Sequence, residues 1–344
     1  MKTLKTIAMM IAVTLIASMS AMAQGPKHLE PGSALVFPLF DSAPGAGTVI
    51  CVTNLNDDNV YCPTQDTRAG DVMLHYIYVA DETWVEFDRF ELLTPGDTLC
   101  VLADNHNPEM ERGFLIVVAV DVNDMSKNID FDYVIGSAIV VQSGLNFLWS
   151  YTPYAFEGNP NSSDPSACDR DATDSDGDGA LDFDGDEYPY FPAELYIDSF
   201  FEEGGNFTNQ LVLLTTAGAN YTAEVDFLFW NNIEQKFSRS FDFQCWWTGA
   251  LSDISAIVNG LGGDAEELGV NEVETGWASI TPARIVDGSG NPVPASSGYA
   301  VPPLLGVFAQ FVTSTDFAAG HALHYRGTLD GLELLVGDGD EQNK

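Results

Sequence analysis

Basic side chains are the scarcest feature of this sequence: 13 Lys and Arg stand against 51 Asp and Glu over 344 residues, a formal net charge of −38. Nucleic acids and anionic membranes are recognised through basic surfaces, so neither is an expected partner, whereas cations are. Long apolar runs are also missing. The run from Ile7 to Ala17 is too short for the about 20 helical residues that cross a bilayer, so no membrane insertion is expected. Lys2 and Lys5 precede it and Ala21-Met22-Ala23 closes it, which is the pattern of a secretory signal peptide over residues 1–23. Cleavage would remove Lys2 and Lys5 and no acid, taking the charge from −38 to −40. The expected location is secreted, extracellular or periplasmic.

Catalytic signatures are absent too. There is no Gly-x-Ser-x-Gly elbow, phosphate loop, dinucleotide fingerprint or Cys–His protease pattern. Carboxylates are so abundant that no single pair points to glycoside hydrolysis. The five cysteines, Cys51, Cys62, Cys100, Cys168 and Cys245, follow no zinc spacing. Cys51 and Cys62 flank the polar loop Thr53 to Tyr61 and are the expected disulfide, with connectivity otherwise open. The odd thiol is either buried and inert or crosslinks two chains. Among the histidines, His321 and His324 would fall on opposite faces of a strand with no third ligand evident, so packing or surface roles are expected.

Helical periodicity is confined to 251–268, where apolar residues at i, i+3 and i+7 suggest a short helix. What fills the chain is β-type sequence, short runs of Val, Ile, Tyr, Phe and Thr between Gly, Asn, Asp and Pro clusters. Val72, Leu74, Tyr76 and Tyr78 alternate with Met73, His75 and Ile77, which predicts a half-buried strand, and the unbroken apolar run 113–120 predicts a central one. In the strand Phe241 to Trp247, alternation turns Phe241, Phe243, Cys245 and Trp247 inward and Trp246 outward, where its ring could stack on a ligand. The competing reading buries Trp246 against a loop or the other domain.

Five blocks recur in the same order. Phe37–Asp41 with Thr48–Asn54 matches Asp198–Glu202 with Gln210–Thr216, and Val72–Val79 matches Ala223–Trp230. Phe90–Gly96, Glu111–Phe114 and Val134–Ala138 match Phe241–Gly249, Glu274–Trp277 and Leu304–Phe308, aligning Gly113 with Gly276 and Gly136 with Gly306. A strand glycine marks a bulge or a close backbone approach, so shared glycines imply a shared backbone. The expected architecture is all-β, two tandem related β-sandwich domains over 24–156 and 193–331. Residues 157–192 form an acidic calcium-binding linker between them, and 332–344 an acidic tail.

The linker contains DSDGDGALDFDGDE, residues 174–187, with seven acids in fourteen positions. Ca²⁺ takes about six to eight oxygens, which alternate carboxylates can supply when a glycine permits a sharp turn. Asp174, Asp176 and Asp178 stand at loop positions 1, 3 and 5, Gly179 at 6, Ala180 would offer its carbonyl at 7, and Asp182 stands at 9. The spacing resembles the Asp-x-Asp-x-Asp-Gly calcium loops of the EF-hand, dockerin and thrombospondin type 3 families. Position 12, a bidentate Glu in the EF-hand, is Gly185 here, flanked by Asp184 and Asp186, and no entering helix precedes Asp174. The helix-free thrombospondin-like form fits better, and Asp184-Gly-Asp186-Glu187 could hold a second ion.

These features point to an exported, calcium-binding structural, adhesive or matrix protein, capable of self-association. A carbohydrate-binding protein or polysaccharide-acting enzyme with a loop-borne site or Trp246 is the main alternative, and a filament subunit pairing through the segment after Gln24 is a third.

Overall fold

A computed structural model describes residues 26, 30–57, 61–62, 67–68, 70–81, 83–142, 147–159, 173, 181–204, 206–216, 220–259, 275–293 and 301–328. The first half contains β1 (Ala34–Asp41), β2 (Ala46–Asn54), β3 (Tyr61–Cys62), β4 (Thr67–Arg68), β5 (Val72–Ala80), β6 (Glu86–Leu93) and β7 (Thr98–Leu102). A one-turn helix α1 (Ala103–His106) then leads to β8 (Arg112–Val120), β9 (Val134–Gln142), β10 (Phe147–Tyr151) and β11 (Tyr154–Phe156). The second half contains β12 (Pro192–Phe201), β13 (Phe207–Thr215), β14 (Tyr221–Asn231), β15 (Lys236–Gln244) and β16 (Trp246–Gly249). After α2 (Leu251–Ile254) and a 3₁₀ turn (Ala256–Asn259) come β17 (Thr275–Asp287), β18 (Leu304–Val312), β19 (Phe317–Ala322) and β20 (His324–Thr328). The helix expected over 251–268 is thus one turn, and 260–274 lie outside the described residues.

The first half forms sheets ordered β11-β1-β8-β5-β6 and β10-β9-β2-β7; the second forms β20-β12-β17-β14-β15 and β19-β18-β13-β16. The two orders are the same, strand for strand, with β3 and β4 standing apart as a two-stranded ribbon. The register repeats as well. It shifts between Phe37 and Phe40 of β1, bringing Phe40 opposite Gly113, and between Ile197 and Phe200 of β12, bringing Phe200 opposite Gly276. A Cβ on Gly113 would run into the Val79 carbonyl and one on Gly276 into the Trp230 carbonyl. Gly136 and Gly306 lie opposite Val52 and Leu213, at the same place in both halves. The sequence blocks were aligned to within a residue: Phe40 corresponds to Phe200, not to Phe201.

The expected pair of tandem β-sandwiches is not what the repeat builds. The chain is all-β, 62% strand and 4% helix, but its four small sheets are arranged as a four-bladed β-propeller. A sandwich would close each core between its own two sheets. Here one apolar cluster begins on β1, β5 and β8, passes through Trp149 and Tyr151 of β10, and continues into Val212, Leu214, Val307 and Phe311 of the second half. A second cluster, around Leu195, Phe227, Phe229 and Phe308, belongs to the second half. Alternation in a sequence marks which face of a strand is buried and carries no information on which sheet covers it.

β8 is buried along Gly113 to Val120 and sits at the centre of its sheet, as its apolar run predicts. In β5, Val72, Leu74, Tyr76 and Tyr78 are buried, and Ile77 joins them. The halves meet along a seam of side chains. The Tyr154 hydroxyl donates to the Gly306 and Leu323 carbonyls at 2.9 and 3.0 Å. Phe147 lies 4.7 Å from Phe311, and Gly320 sits beneath the Trp149 ring, where a Cβ would collide. Gln142 Nε2 donates to Gln210 Oε1 at 3.0 Å.

The disulfide joins Cys51 to Cys100 and not to Cys62. Cys51 and Cys100 are direct cross-strand partners on β2 and β7, with Cα atoms 4.1 Å apart. Proximity along the chain favoured Cys62, but sheet register decides which Cβ atoms meet. Cys245 is a free, buried thiol, and burial pushes its pKa up to about 12.

Tyr154→Phe should destabilise the protein by about 1–3 kcal/mol in urea unfolding, since the Leu323 carbonyl loses the phenol and the Gly306 carbonyl keeps only the Leu323 N–H; no change would show that the seam is held by apolar contact alone. Alkylation mapped by mass spectrometry should modify Cys245 at least about tenfold more slowly in the native chain than in urea, because the reactive species is the thiolate.

Candidate functional site

Asp174, Asp176, Asp178 and Ala180 lie outside the described residues, whereas the second part of the motif is well placed. Its apolar residues anchor it: Leu181, Phe183, Tyr188 and Phe191 are all buried. The Phe183 ring packs 4.6 Å from Phe156, 4.8 Å from Phe191 and 5.3 Å from Tyr188. Anchoring Leu181 and Phe183 takes the intervening acid inside. Asp182 retains 4% of its exposure and Glu187 1%. The Asp182 N–H donates to Glu187 Oε2 at 3.3 Å, and the Tyr188 N–H donates to the Asp182 carbonyl at 3.0 Å. The Asn159 N–H donates to the Glu187 carbonyl at 2.8 Å, tying the segment to the exit of β11.

Asp184 acts differently. Its Oδ1 accepts from the N–H groups of Asp186 and Glu187 at 2.8 and 3.1 Å, forming a turn on its own backbone. Gly185 has φ +90° and lies against the Tyr190 ring, so position 12 of the calcium-loop alignment is occupied by a turn glycine. Asp184 and Asp186 are partly to fully exposed around that turn, unlike Asp182 and Glu187.

The fold adds two acids that the sequence reading did not assign. Asp130 and Asp132, between β8 and β9, act together with Glu187 on the buried Tyr188 phenol, whose pKa is raised by burial above all and further by these charges. Asp132 Oδ1 accepts from Ser33 Oγ at 2.7 Å and from the Gly158 N–H at 2.9 Å. Thr173, buried just before the motif, donates its N–H to the Asn128 carbonyl at 3.0 Å. Acids distant in sequence thereby converge on one end of the first half, a juxtaposition no local motif could show.

Trp246 is buried against the other half, as the competing reading has it, and does not face solvent. Its Nε1 donates to the Pro38 carbonyl at 2.7 Å, and the Arg112 guanidinium lies 6.0 Å from its ring centroid. The cause is Cys245, whose φ of +52° separates β15 from β16 and resets the alternation on which the outward assignment rested. The exposed aromatic surface lies elsewhere: Trp277, 39% exposed, stacks on Trp230 at 3.9 Å with the rings 2° from parallel. This cross-strand pair depends on β14–β17 register and was missed for that reason.

His321 and His324 do not point to opposite faces. β19 ends at Ala322 in one sheet and β20 begins at His324 in another, so the chain changes sheets at Leu323. Both imidazoles approach Asp198 of β12, with His321 Nε2 at 3.3 Å from Oδ1 and His324 Nε2 at 4.0 Å from Oδ2. A buried chain also runs from Tyr78 Oη to His106 Nδ1 at 2.8 Å and from His106 Nε2 to Glu91 at 3.4 Å, with burial lowering the His106 pKa.

No helix among the described residues is long and apolar enough to cross a membrane. No protein-family model matches the chain. No curated protein matches it either. Among solved structures, it is similar to Thermotoga maritima 1070 at 13% identity, covering 37% of this chain and 97% of that one with a TM-score of 0.28. The PBSX exported protein XepA is 10% identical over 76% of this chain and 84% of its own, with a TM-score of 0.20. A lectin from Pleurotus ostreatus is 9% identical over 87% and 83%, with a TM-score of 0.12. Likeness this slight identifies no family.

Proposed function

We infer that this is an exported structural protein whose acidic segment binds calcium and braces the two halves of the propeller. The carrying observation is the burial of Asp182 and Glu187, joined through the Asp182 N–H, in a segment where the charges of Glu187, Asp130 and Asp132 all act on the buried Tyr188 phenol. Buried carboxylates are costly beside one another, and a hard divalent cation relieves that cost while using their oxygens. Asp174, Asp176, Asp178, Ala180 and Asp182 would furnish the alternate ligands that the motif suggests, with Glu187 closing the shell in place of Gly185. Asp184 is engaged in its turn and is a weaker candidate. The Cys51–Cys100 disulfide fits an oxidising compartment, in keeping with export.

The brace follows from connectivity. The segment leaves β11 of the first half and enters β12 of the second, and its buried rings pack on Phe156 of β11. Fixing its carboxylates on an ion would fix that connection. A structural, adhesive or matrix role needs such stiffness and no catalytic group, and self-association is compatible with it. The filament reading depends on the segment after Gln24, which lies almost wholly outside the described residues.

A second reading, carbohydrate binding, draws support from the stacked Trp230–Trp277 pair, since an exposed indole face is a sugar platform. Polysaccharide should then perturb tryptophan fluorescence in the wild type and not in Trp277→Ala; an unchanged response in the variant removes this reading.

Extracellular calcium modules have Kd values of roughly 10⁻⁴ to 10⁻³ M, so about 5 mM calcium should raise unfolding stability by about 1–2 kcal/mol over chelator. Asp182→Asn and Glu187→Gln should abolish most of that increment, and proteolysis within 160–190 should slow in calcium for the wild type alone. Identical unfolding curves in calcium and chelator would refute the calcium brace.

A further inference from the structure

We propose that Asp198, His321 and His324 form a zinc site with an open coordination position, separate from the acidic segment. One ligand atom from each residue lies within 4.8 Å of the others. Around a tetrahedral zinc, ligand atoms at about 2.0–2.2 Å from the metal stand about 3.4 Å apart. The His321–Asp198 distance of 3.3 Å already meets that spacing. His324 and Asp198 are exposed, so their side chains can close the remaining gap.

The surroundings of His321 fit those of a metal ligand. Its Nδ1 lies 2.8 Å from the Ala322 carbonyl, which can only accept, so Nδ1 carries a proton. Its Nε2 is thereby turned to the Asp198 carboxylate, where a divalent ion would bridge the two. A backbone carbonyl on the second ring nitrogen is also the usual partner of a metal-bound imidazole. His324 brings a second imidazole to the same carboxylate, and one divalent ion serves all three groups.

The repeat supplies an independent argument. By sheet register, Tyr151 and Tyr154 of the first half correspond to His321 and His324, and Pro38 corresponds to Asp198. Pro38, Tyr151 and Tyr154 are buried at the seam, where Trp246 and the second half cover them. The same backbone positions in the second half face solvent and carry three metal-ligating side chains in place of three non-ligating ones. The backbone between the histidines is held in place, because Leu323 donates to the Gly306 carbonyl and accepts from Tyr154 Oη. Two imidazoles and a carboxylate suit a borderline ion such as zinc rather than calcium, and three protein ligands leave the fourth position to water.

The test is calorimetric titration of the full chain with Zn²⁺ in excess calcium, which occupies oxygen-only sites, together with visible spectra of the Co²⁺-substituted protein. One zinc per chain is expected, with intense tetrahedral-type Co²⁺ bands. His321→Ala, His324→Ala and Asp198→Asn should each weaken binding by more than about tenfold while the far-ultraviolet circular dichroism is unchanged. His75→Ala, which removes an imidazole that pairs with Asp88 and stacks on Phe90 far from the triad in sequence and sheet, should bind as the wild type does. Absence of zinc binding in calcium would overturn the proposal. Binding that survives all three substitutions would overturn it as well.

Discussion

The seam between the two halves is the constraint on which the rest of this structure depends. A duplicated half-chain could fold alone only if each copy closed its own core. Here the apolar faces of β10, β13, β18 and β19 are buried in one cluster with β1, β5 and β8. Among the described residues the polar contacts across the seam are few and directional: Tyr154 to Gly306 and Leu323, Trp246 to Pro38, Gln142 to Gln210. Each ends on a backbone carbonyl or a paired amide, so apolar packing supplies the affinity and the hydrogen bonds fix the angle.

The excess of acid acts against that packing. A chain with a formal charge of −38 repels itself in any compact state, and a disulfide or bound cations offset the repulsion without enlarging the core. The Cys51–Cys100 bond closes one loop within the first half, across β2 and β7. It does nothing for the acids near Tyr188. There the apolar anchors Leu181 and Phe183 force Asp182 inward, so the same residues that seat the segment also create the electrostatic cost that a cation would relieve.

Much of this was legible in the sequence, and the part that was not has one cause. Strand positions, the central β8 and the repeat itself depend on periodicity and matched glycines, which are local. The Gly113–Gly276 and Gly136–Gly306 matches were informative because a Cβ at Gly113, Gly276 or Gly306 would collide with a carbonyl of the neighbouring strand, and one at Gly136 with the Phe37 ring. What local spacing could not supply was which strands and sheets meet, although the central place of β8 and the burial of Trp246 against the other half agree with the sequence reading. Cys51 bonds its cross-strand partner, and the four sheets form a propeller in which one apolar cluster spans both halves and a second lies within the second half, instead of two closed sandwiches. His321 and His324 were placed on opposite faces because a single continuous strand was assumed; Leu323 ends one sheet's strand and precedes another's.

Duplication also explains why the two halves carry different chemistry on the same frame. Equivalent backbone positions become inequivalent once two copies pack asymmetrically, because one set is covered and the other is not. Covered positions must match a neighbouring surface, so Tyr151 and Tyr154 present rings with hydroxyls that reach carbonyls. Uncovered positions are released from that demand and can carry side chains whose lone pairs face water. Ligand type then separates the two proposed cation sites without any further device. Buried carboxylates favour a hard ion that accepts many oxygens, whereas exposed imidazoles favour a borderline one.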